Sequence, residues 1–453
     1  MQENKMGTMP IGKLIISMSL PMMLSMLVQA LYNIVDSIFV AKICENALTA
    51  VSLAFPIQNL MISVGSGTSI GVNSLLSKYL GQKRPHDASL SAKNGIFLSL
   101  CSFVVFAAVG LIFSKLYFTV QTPDTEIIDF GSTYLFICLV FSFGIFMQLI
   151  FERLLLSTGK TVYAMISQLS GAITNIIFDP ILIFGLFGFP EMGVAGAAIA
   201  TVAGQHVACI VGLVLNIKCN HEISISMKGF RPDLRMIKKI YSVGVPSIIM
   251  MSIGSVMTFL MNKILLIFSS TAAAVFGVYF KLQSFIFMPI FGMNSGIVPI
   301  IAYNYGAEKK ERITKTLSHC IFYAVAIMLI GAVIMQLFPK QLLALFEASE
   351  NMLGIGVTAL RIISLSFIFA GYCIILSSAF QALGDGIMSM TVSIIRQLVI
   401  LVPSAYLLSL TGNVANVWWA FPIAELSSVT LSTIFMVRVY KNKIKKLGEK
   451  QNA

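Results

Sequence analysis

Twelve apolar stretches follow one another along this chain, at residues 14–40, 48–76, 94–118, 131–155, 162–188, 193–217, 240–268, 271–303, 317–338, 355–380, 387–410 and 414–438. Each is long enough to cross the ~30 Å hydrocarbon core of a bilayer as a helix. They are near-continuous and lack period-two alternation. In lipid only helices and closed barrels satisfy their own backbone, so helices are favoured over a barrel. The pattern predicts an all-α polytopic membrane protein of twelve transmembrane helices. Composition agrees. Of 453 residues, 57% are hydrophobic and 11% are charged, against about 25% charged in a soluble chain. So few charges do not cover a water-facing surface of ordinary size.

The net charge of +12 does not point to nucleic acid, because the basic residues sit in short runs between apolar stretches. Their placement sets an orientation instead. With the N-terminus inside, the inner segments hold 24 of the 31 Lys and Arg residues, and the outer loops hold Lys42, Lys115 and Lys340 alone. Both termini are therefore expected to be cytoplasmic, in a plasma membrane. The first stretch is too long for a signal-peptide core and reads as a membrane helix. Seven cysteines make no CxxC pair and no disulfide framework, and four scattered histidines make no metal spacing. No nucleotide-binding GxxxxGK[ST] motif occurs, so the expected driving force is an ion gradient. No cofactor is expected beyond a transported H⁺ or Na⁺.

Shifting the sequence by 225 residues brings landmarks into coincidence without gaps. Lys13, Ile15, Ser17 and Pro21 fall on Lys238, Ile240, Ser242 and Pro246, and Gln58, Gly71 and Gly81 on Gln283, Gly296 and Gly306. Gly131, Gly159 and Met165 fall on Gly356, Gly384 and Met390. Six helices per repeat is an even number, so the halves share one orientation, as in parallel-repeat transporters. The expected division is an N-terminal lobe at 1–217, a cytoplasmic linker at 218–239, a C-terminal lobe at 240–440 and a basic tail at 441–453. Within the linker, Leu234 to Lys239 is basic and amphipathic and is expected to lie on the inner membrane surface.

Charges inside membrane helices cost about 2.5–3.5 kcal/mol on insertion scales and so usually have a task. Ser25, Gln29, Tyr32 and Asp36 are spaced to share one face of the first helix, with Asn33 beside it. Gln168, Gly171, Asn175 and Asp179 do the same on the fifth, where Pro180 follows and can kink the helix. If the two aspartates meet, they titrate as a pair. Such a pair can hold a proton, or a sodium ion shared with Asn175 and a hydroxyl such as Thr201. Glu152 ends the fourth helix beside Arg153, as an interfacial ion pair or as a functional carboxylate. The second half differs: Met261 stands at the position of Asp36 and Ser404 at that of Asp179, while Glu425, Lys281 and Arg396 fall within spans. A pair of Glu425 with one of those cations is expected, and ion coupling is expected in the first half. Ser63 to Ser74, rich in Gly and Ser, reads as a close helix-packing face.

Particular stretches resemble a known family, the multidrug and toxic compound extrusion (MATE) transporters, and most closely its MepA-like branch. They are Ser19 to Met23, Asn175 to Gly185, Gly193 to Ala198, Gly296 to Gly306, Gln381 to Gly384 and Ile423 to Glu425. The resemblance implies two six-helix lobes in an outward-facing V and export of drug-like compounds against inward H⁺ or Na⁺. It implies an ion site at the matching Asp36, Asn175, Asp179 and Thr201. It also places Glu152 and Glu425 on the drug path. The full expectation is a monomeric antiporter for cationic or amphipathic organic compounds, with Gln29, Tyr32, Asn33, Glu152, Glu425, Lys281 and Arg396 along the substrate path. The alternative is a lipid-linked oligosaccharide flippase of the same superfamily, which calls for a more basic cavity. A major-facilitator carrier would usually show a GxxxD-type basic motif between its second and third helices, which Gly81 to Asp87 does not fit. No nucleophile–base spacing supports an enzyme.

Overall fold

The computed structural model of the protein describes residues 4–346 and 348–447. The last six residues of the basic tail lie outside the described residues. All regular structure among the described residues is helical. A four-residue turn, α1 (Lys5–Thr8), precedes the long helices α2 (Ile11–Ala41), α3 (Glu45–Gly81) and α4 (Pro85–Gln121). Then come α5 (Thr125–Val140), α6 (Phe143–Ser157), α7 (Thr161–Phe184) and α8 (Gly193–Cys219). The second half repeats the order with α9 (Leu234–Leu266), α10 (Ser270–Gly306), α11 (Lys310–Leu337), a short α12 (Pro339–Ala344), α13 (Glu350–Ser364) and α14 (Phe367–Ala382). It closes with α15 (Gly386–Ile394), α16 (Val402–Ser409), α17 (Val414–Val417) and α18 (Ala420–Val439).

Ten described helical segments are long and apolar enough to cross a membrane, and two bent pairs bring the number to twelve. The bent pairs are α5 with α6, turned by 47°, and α13 with α14, turned by 48°. Sequence alone reads each as one straight span. Both break beside a serine, Ser142 and Ser366. At the second break the Ser366 hydroxyl donates to Ile363 O at 2.6 Å, a back-bond of the kind that bends helices.

The 225-residue repeat reappears as backbone geometry. Cys44 (φ −170°, ψ 168°) and Ser269 (φ −170°, ψ 158°) cap α3 and α10, each side chain accepting from the N–H three residues on. Lys83 (φ 58°) and Glu308 (φ 57°) both turn the chain in the left-handed region, and so do Gly159 (φ 84°) and Gly384 (φ 82°). Each pair stands at the same place in its repeat.

The chain forms two compact units, residues 24–248 and residues 1–23 together with 249–453. Both divisions fall two residues after an in-helix proline, Pro21 in α2 and Pro246 in α9. The Leu234–Lys239 stretch forms the opening turns of α9. Its Met236 is buried within the 24–248 unit.

Within that unit, α3 packs against the start of α9 through glycine. A Cβ added at Gly71 would stand 2.2 Å from Ile240 O, and one at Gly67 would stand 2.8 Å from Ile248 N. The core beneath is aliphatic and aromatic, with Phe118, Leu135, Phe146, Leu154 and Leu76 essentially dry. The other unit repeats the contact: Gly296 meets Met18 O and Gly292 meets the Met23 backbone. A polar clamp seats its N-terminal turn. Arg312 donates to Met6 O (3.0 Å), Met9 O (2.8 Å) and Asn304 Oδ1 (3.0 Å), while Asn304 Nδ2 and Lys309 Nζ reach Met6 O and Gly7 O at 3.0 Å.

Candidate functional site

In the 24–248 unit, the polar faces of α2 and α7 meet. Ser25 donates to Gln168, and Gln168 Nε2 donates to Gln29 Oε1 at 2.9 Å. Gln29 hydrogen-bonds Tyr32. One turn on, the carboxyl groups of Asp36 and Asp179 lie against each other. Asp179 has no exposed surface and Asn175 is 3% exposed. Asn175 Nδ2 donates to Asp179 Oδ1 (3.2 Å) and reaches Thr201 Oγ1 on α8 (3.4 Å). The structure thus brings together Asp36, Asn175, Asp179 and Thr201.

Three oxygens in this cluster are buried without a donor among the described residues: Asp36 Oδ1, Asp179 Oδ2 and Asn175 Oδ1. Buried acceptors left so carry a desolvation cost. Two carboxylates in contact also repel unless a positive charge stands with them. Arranged this way, the oxygens suit a proton or a small hard cation, which takes carboxylate and carbonyl oxygens as ligands.

Sequence reasoning missed part of the surroundings. Gln58 on α3 donates to Tyr134 Oη (3.4 Å) and Cys138 Sγ (3.5 Å) on α5, and both of these lie within electrostatic reach of Asp36. A glutamine inside an apolar stretch was the available signal, and its repeat partner Gln283 reinforces it. Glu152 is 7% exposed. Gln148 Nε2 donates to it at 2.9 Å, a partner one turn back that the sequence reading did not weigh. The Tyr32 ring lies in the field of Asp36, Asp179 and Glu152 alike. Asn33 is exposed.

The other unit holds different chemistry on the corresponding helices. Arg396 Nη1 and Glu425 Oε1 pair at 2.7 Å, with side-chain exposures of 28% and 10%. They line a cavity of about 80 Å³ with Met257, Tyr279, Phe280, Gln283, Phe287, Gln397 and Phe421. By the 225-residue offset, Met257 corresponds to Tyr32, Gln283 to Gln58, Arg396 to Gly171 and Glu425 to Ala200, the neighbour of Thr201. The two clusters therefore lie on corresponding helices but at different positions along them, with an acidic pair in one and an ion pair in the other. Gly171 allows α7 and α8 to touch, since a Cβ there would stand 2.9 Å from Gly204 O. Arg396 cannot pack so closely, and the helix around it is widened to a π-turn over Ile395–Leu401. Lys281, the other cation expected near Glu425, is exposed instead, with its ammonium 5.8 Å from the centre of the Phe346 ring.

Comparison with known proteins agrees with the repeated helical fold. The MatE family model matches residues 21–181 and 246–407, two copies set at the same offset as the repeat. The multidrug export protein MepA of Staphylococcus haemolyticus is 26% identical over 435 residues, covering 96% of this chain and 95% of that protein. The protein of the same name from a bovine strain of Staphylococcus aureus is 24% identical over 436 residues, with the same coverage. A solved outward-facing conformation of a multidrug resistance MATE family transporter of the MOP superfamily has a TM-score of 0.92 at 26% identity, covering 98% of this chain and 99% of that one. A MOP superfamily transporter from Pyrococcus furiosus, whose binding pocket of reverse polarity suggests a different function, has a TM-score of 0.91 at 25% identity, covering 99% of each chain. With a family match in both halves and this likeness of fold over nearly its whole length, the chain belongs to the MatE family of membrane transporters.

Proposed function

We propose that this protein is a multidrug efflux antiporter, exporting cationic or amphipathic organic compounds in exchange for H⁺ or Na⁺. The observation that carries the reading is the Asp36–Asp179 contact, with Asp36 Oδ1, Asp179 Oδ2 and Asn175 Oδ1 buried and without a donor among the described residues. A proton or sodium ion entering this cluster relieves the repulsion and supplies the missing partner. Asn175 and Thr201 orient the acid pair, through Asn175 Nδ2 on Asp179. The chain Ser25–Gln168–Gln29–Tyr32 then links the acid pair to the rest of the α2 face.

In this reading the substrate path runs past Gln29, Tyr32, Asn33 and Glu152 in the first half and Lys281, Arg396 and Glu425 in the second. Both termini face the cytoplasm, and a single copy suffices. Coupling requires that ion and drug weaken each other's binding, by the same factor in both directions. The MepA relatives, named multidrug export proteins, support the substrate class.

The test is dye efflux from proteoliposomes under an imposed pH gradient and, separately, a sodium gradient. Efflux driven by one of them in the wild type and lost in Asp36→Asn is the expected result, and it names the ion. Efflux indifferent to both gradients would overturn the antiport reading.

A further inference from the structure

Glu152 of α6 is buried, and the group that donates to it is the neutral amide of Gln148, at 2.9 Å. Arg153, next in the chain, acts on it through its field. A glutamate inside a membrane helix is costly, and such residues mark ion and proton pathways.

The depth of Glu152 is set by three helices that meet beside it. A Cβ added at Gly212 of α8 would stand 3.2 Å from Phe151 Cβ and 3.0 Å from Ser167 Oγ. Phe151 and Ser167 directly precede Glu152 and Gln168, so these two lie at one level. Gln168 begins the polar column Gln168–Gln29–Tyr32 that leads to the acid pair. From Gln168 to Asp179 is eleven residues of α7, about 16 Å at helical rise. Glu152 stands five residues before the end of α6 at Ser157, on the side assigned to the cytoplasm. Asp36 stands five residues before the outer end of α2 at Ala41. Carboxyl groups therefore stand toward both ends of one polar column. Tyr32 lies between them, in the field of Asp36, Asp179 and Glu152.

From this arrangement we infer that Glu152 is the inner proton station of the transporter: a proton taken up by the Asp36–Asp179 pair leaves to the cytoplasm through Tyr32 and Glu152. The inference rests on the antiport proposed above with H⁺ as its ion. It names the task of Glu152 on the path as carrying a proton, not holding a drug. The acid pair gives its proton to Tyr32 Oη as the tyrosine hydroxyl gives its own to the Glu152 carboxylate. One O–H bond breaks at the pair, one forms at Glu152, and Tyr32 ends unchanged. Each hop is direct or through one water. A tyrosine hydroxyl is donor and acceptor at once, whereas the amides of Gln29 and Gln148 hold the partners in place.

The ionisable groups that face this stretch are Arg153, Tyr32 on α2 and, two turns outward, His206 on α8 against Gly144. His206 Nδ1 is engaged with Val202 O at 2.8 Å. The other neighbours are not ionisable: α3 meets the end of α6 through Asn73 and Ser77, α4 through Gly95 and α7 through Ser167. The repeat supports the assignment. The 225-residue offset places Met257 at Tyr32, Cys373 at Gln148 and Ser377 at Glu152. The half without the aspartate pair thus also lacks all three groups of the exit route.

The experiment is dye efflux from proteoliposomes of the full-length protein under an imposed pH gradient, with kcat and KM for the dye read separately. Glu152→Gln is expected to lower kcat at least about tenfold, a modest share of what a positioned proton-transfer group contributes. KM should stay within about twofold, since the drug contacts are not what is lost. Tyr32→Phe should act in the same way. Glu152→Asp returns a carboxyl group and should restore part of kcat, with a larger slowing in D2O than the wild type shows. Should Glu152→Gln not fold, the Asp variant carries the test by a lowered kcat at constant KM and that larger solvent isotope effect. A raised KM would make Glu152 a drug contact and overturn the inference, and so would an unchanged kcat. Efflux driven by a sodium gradient alone overturns this inference and leaves the antiport standing. Efflux indifferent to both gradients in the wild type sinks the antiport reading itself.

Discussion

Asp179 is fully enclosed, touches a second carboxyl group, and has one oxygen held by Asn175 and the other by nothing among the described residues. In the antiport proposed above, this side chain takes up and releases a positive charge. Replacing Asp36 or Asp179 by Asn removes that exchange with little change of shape. Ion-driven efflux should fall at least about tenfold in each variant, while drug binding, measured by dye polarisation, should persist but lose its dependence on the coupling ion. Asp36, Asn175 and Asp179 were legible in the sequence because polar residues at helical spacing stand out against apolar stretches. Tyr134 and Cys138 were not, since a tyrosine or cysteine in a membrane helix reads as packing until its neighbour is known. A second residue-scale expectation concerns stability. Arg312→Ala would strip the Met9 and Asn304 oxygens of a charged donor, at a cost of about 2–4 kcal/mol. A lowered Tm in detergent is the measurement, and an unchanged Tm would count against the clamp. No signal in the sequence tied residues 4–9 to position 312.

Between helices, glycine decides where backbones touch. Gly71→Ala would drive a methyl into the Ile240 carbonyl, 2.2 Å away. The helices must separate, with a loss of about 1–3 kcal/mol that a thermal melt would register. Gly354→Ala in α13 is the control, because nothing lies within 4 Å of a Cβ there. It should be neutral or raise stability by up to about 1 kcal/mol through helix propensity. The Gly- and Ser-rich run of α3 was readable as a packing face, though its partner at the start of α9 was not. The bends in the α5–α6 and α13–α14 pairs also escaped the sequence. A serine back-bond tips a helix only where the surrounding packing favours the tilt, and hydropathy carries no trace of that.

For the molecule as a whole, the distribution of Lys and Arg predicts which loops meet which solvent. In a cysteine-free background, Lys83→Cys should react with an impermeant maleimide only from the inner side and Thr122→Cys only from the outer side. Reversed labelling would overturn the assigned orientation. By itself the sequence determined that the chain is all-helical, that it crosses the membrane about twelve times, that it repeats after 225 residues, and that the two aspartates within spans lie in the first half. Those properties follow from periodicity and from the cost of charge in lipid, both of which act on local sequence. Tertiary structure decided the rest. It grouped residues 1–23 with 249–453, set Asp36 against Asp179, and matched Arg396 rather than Lys281 to Glu425. Such choices depend on which helix faces meet across the packed unit, and the face of one helix does not name its partner.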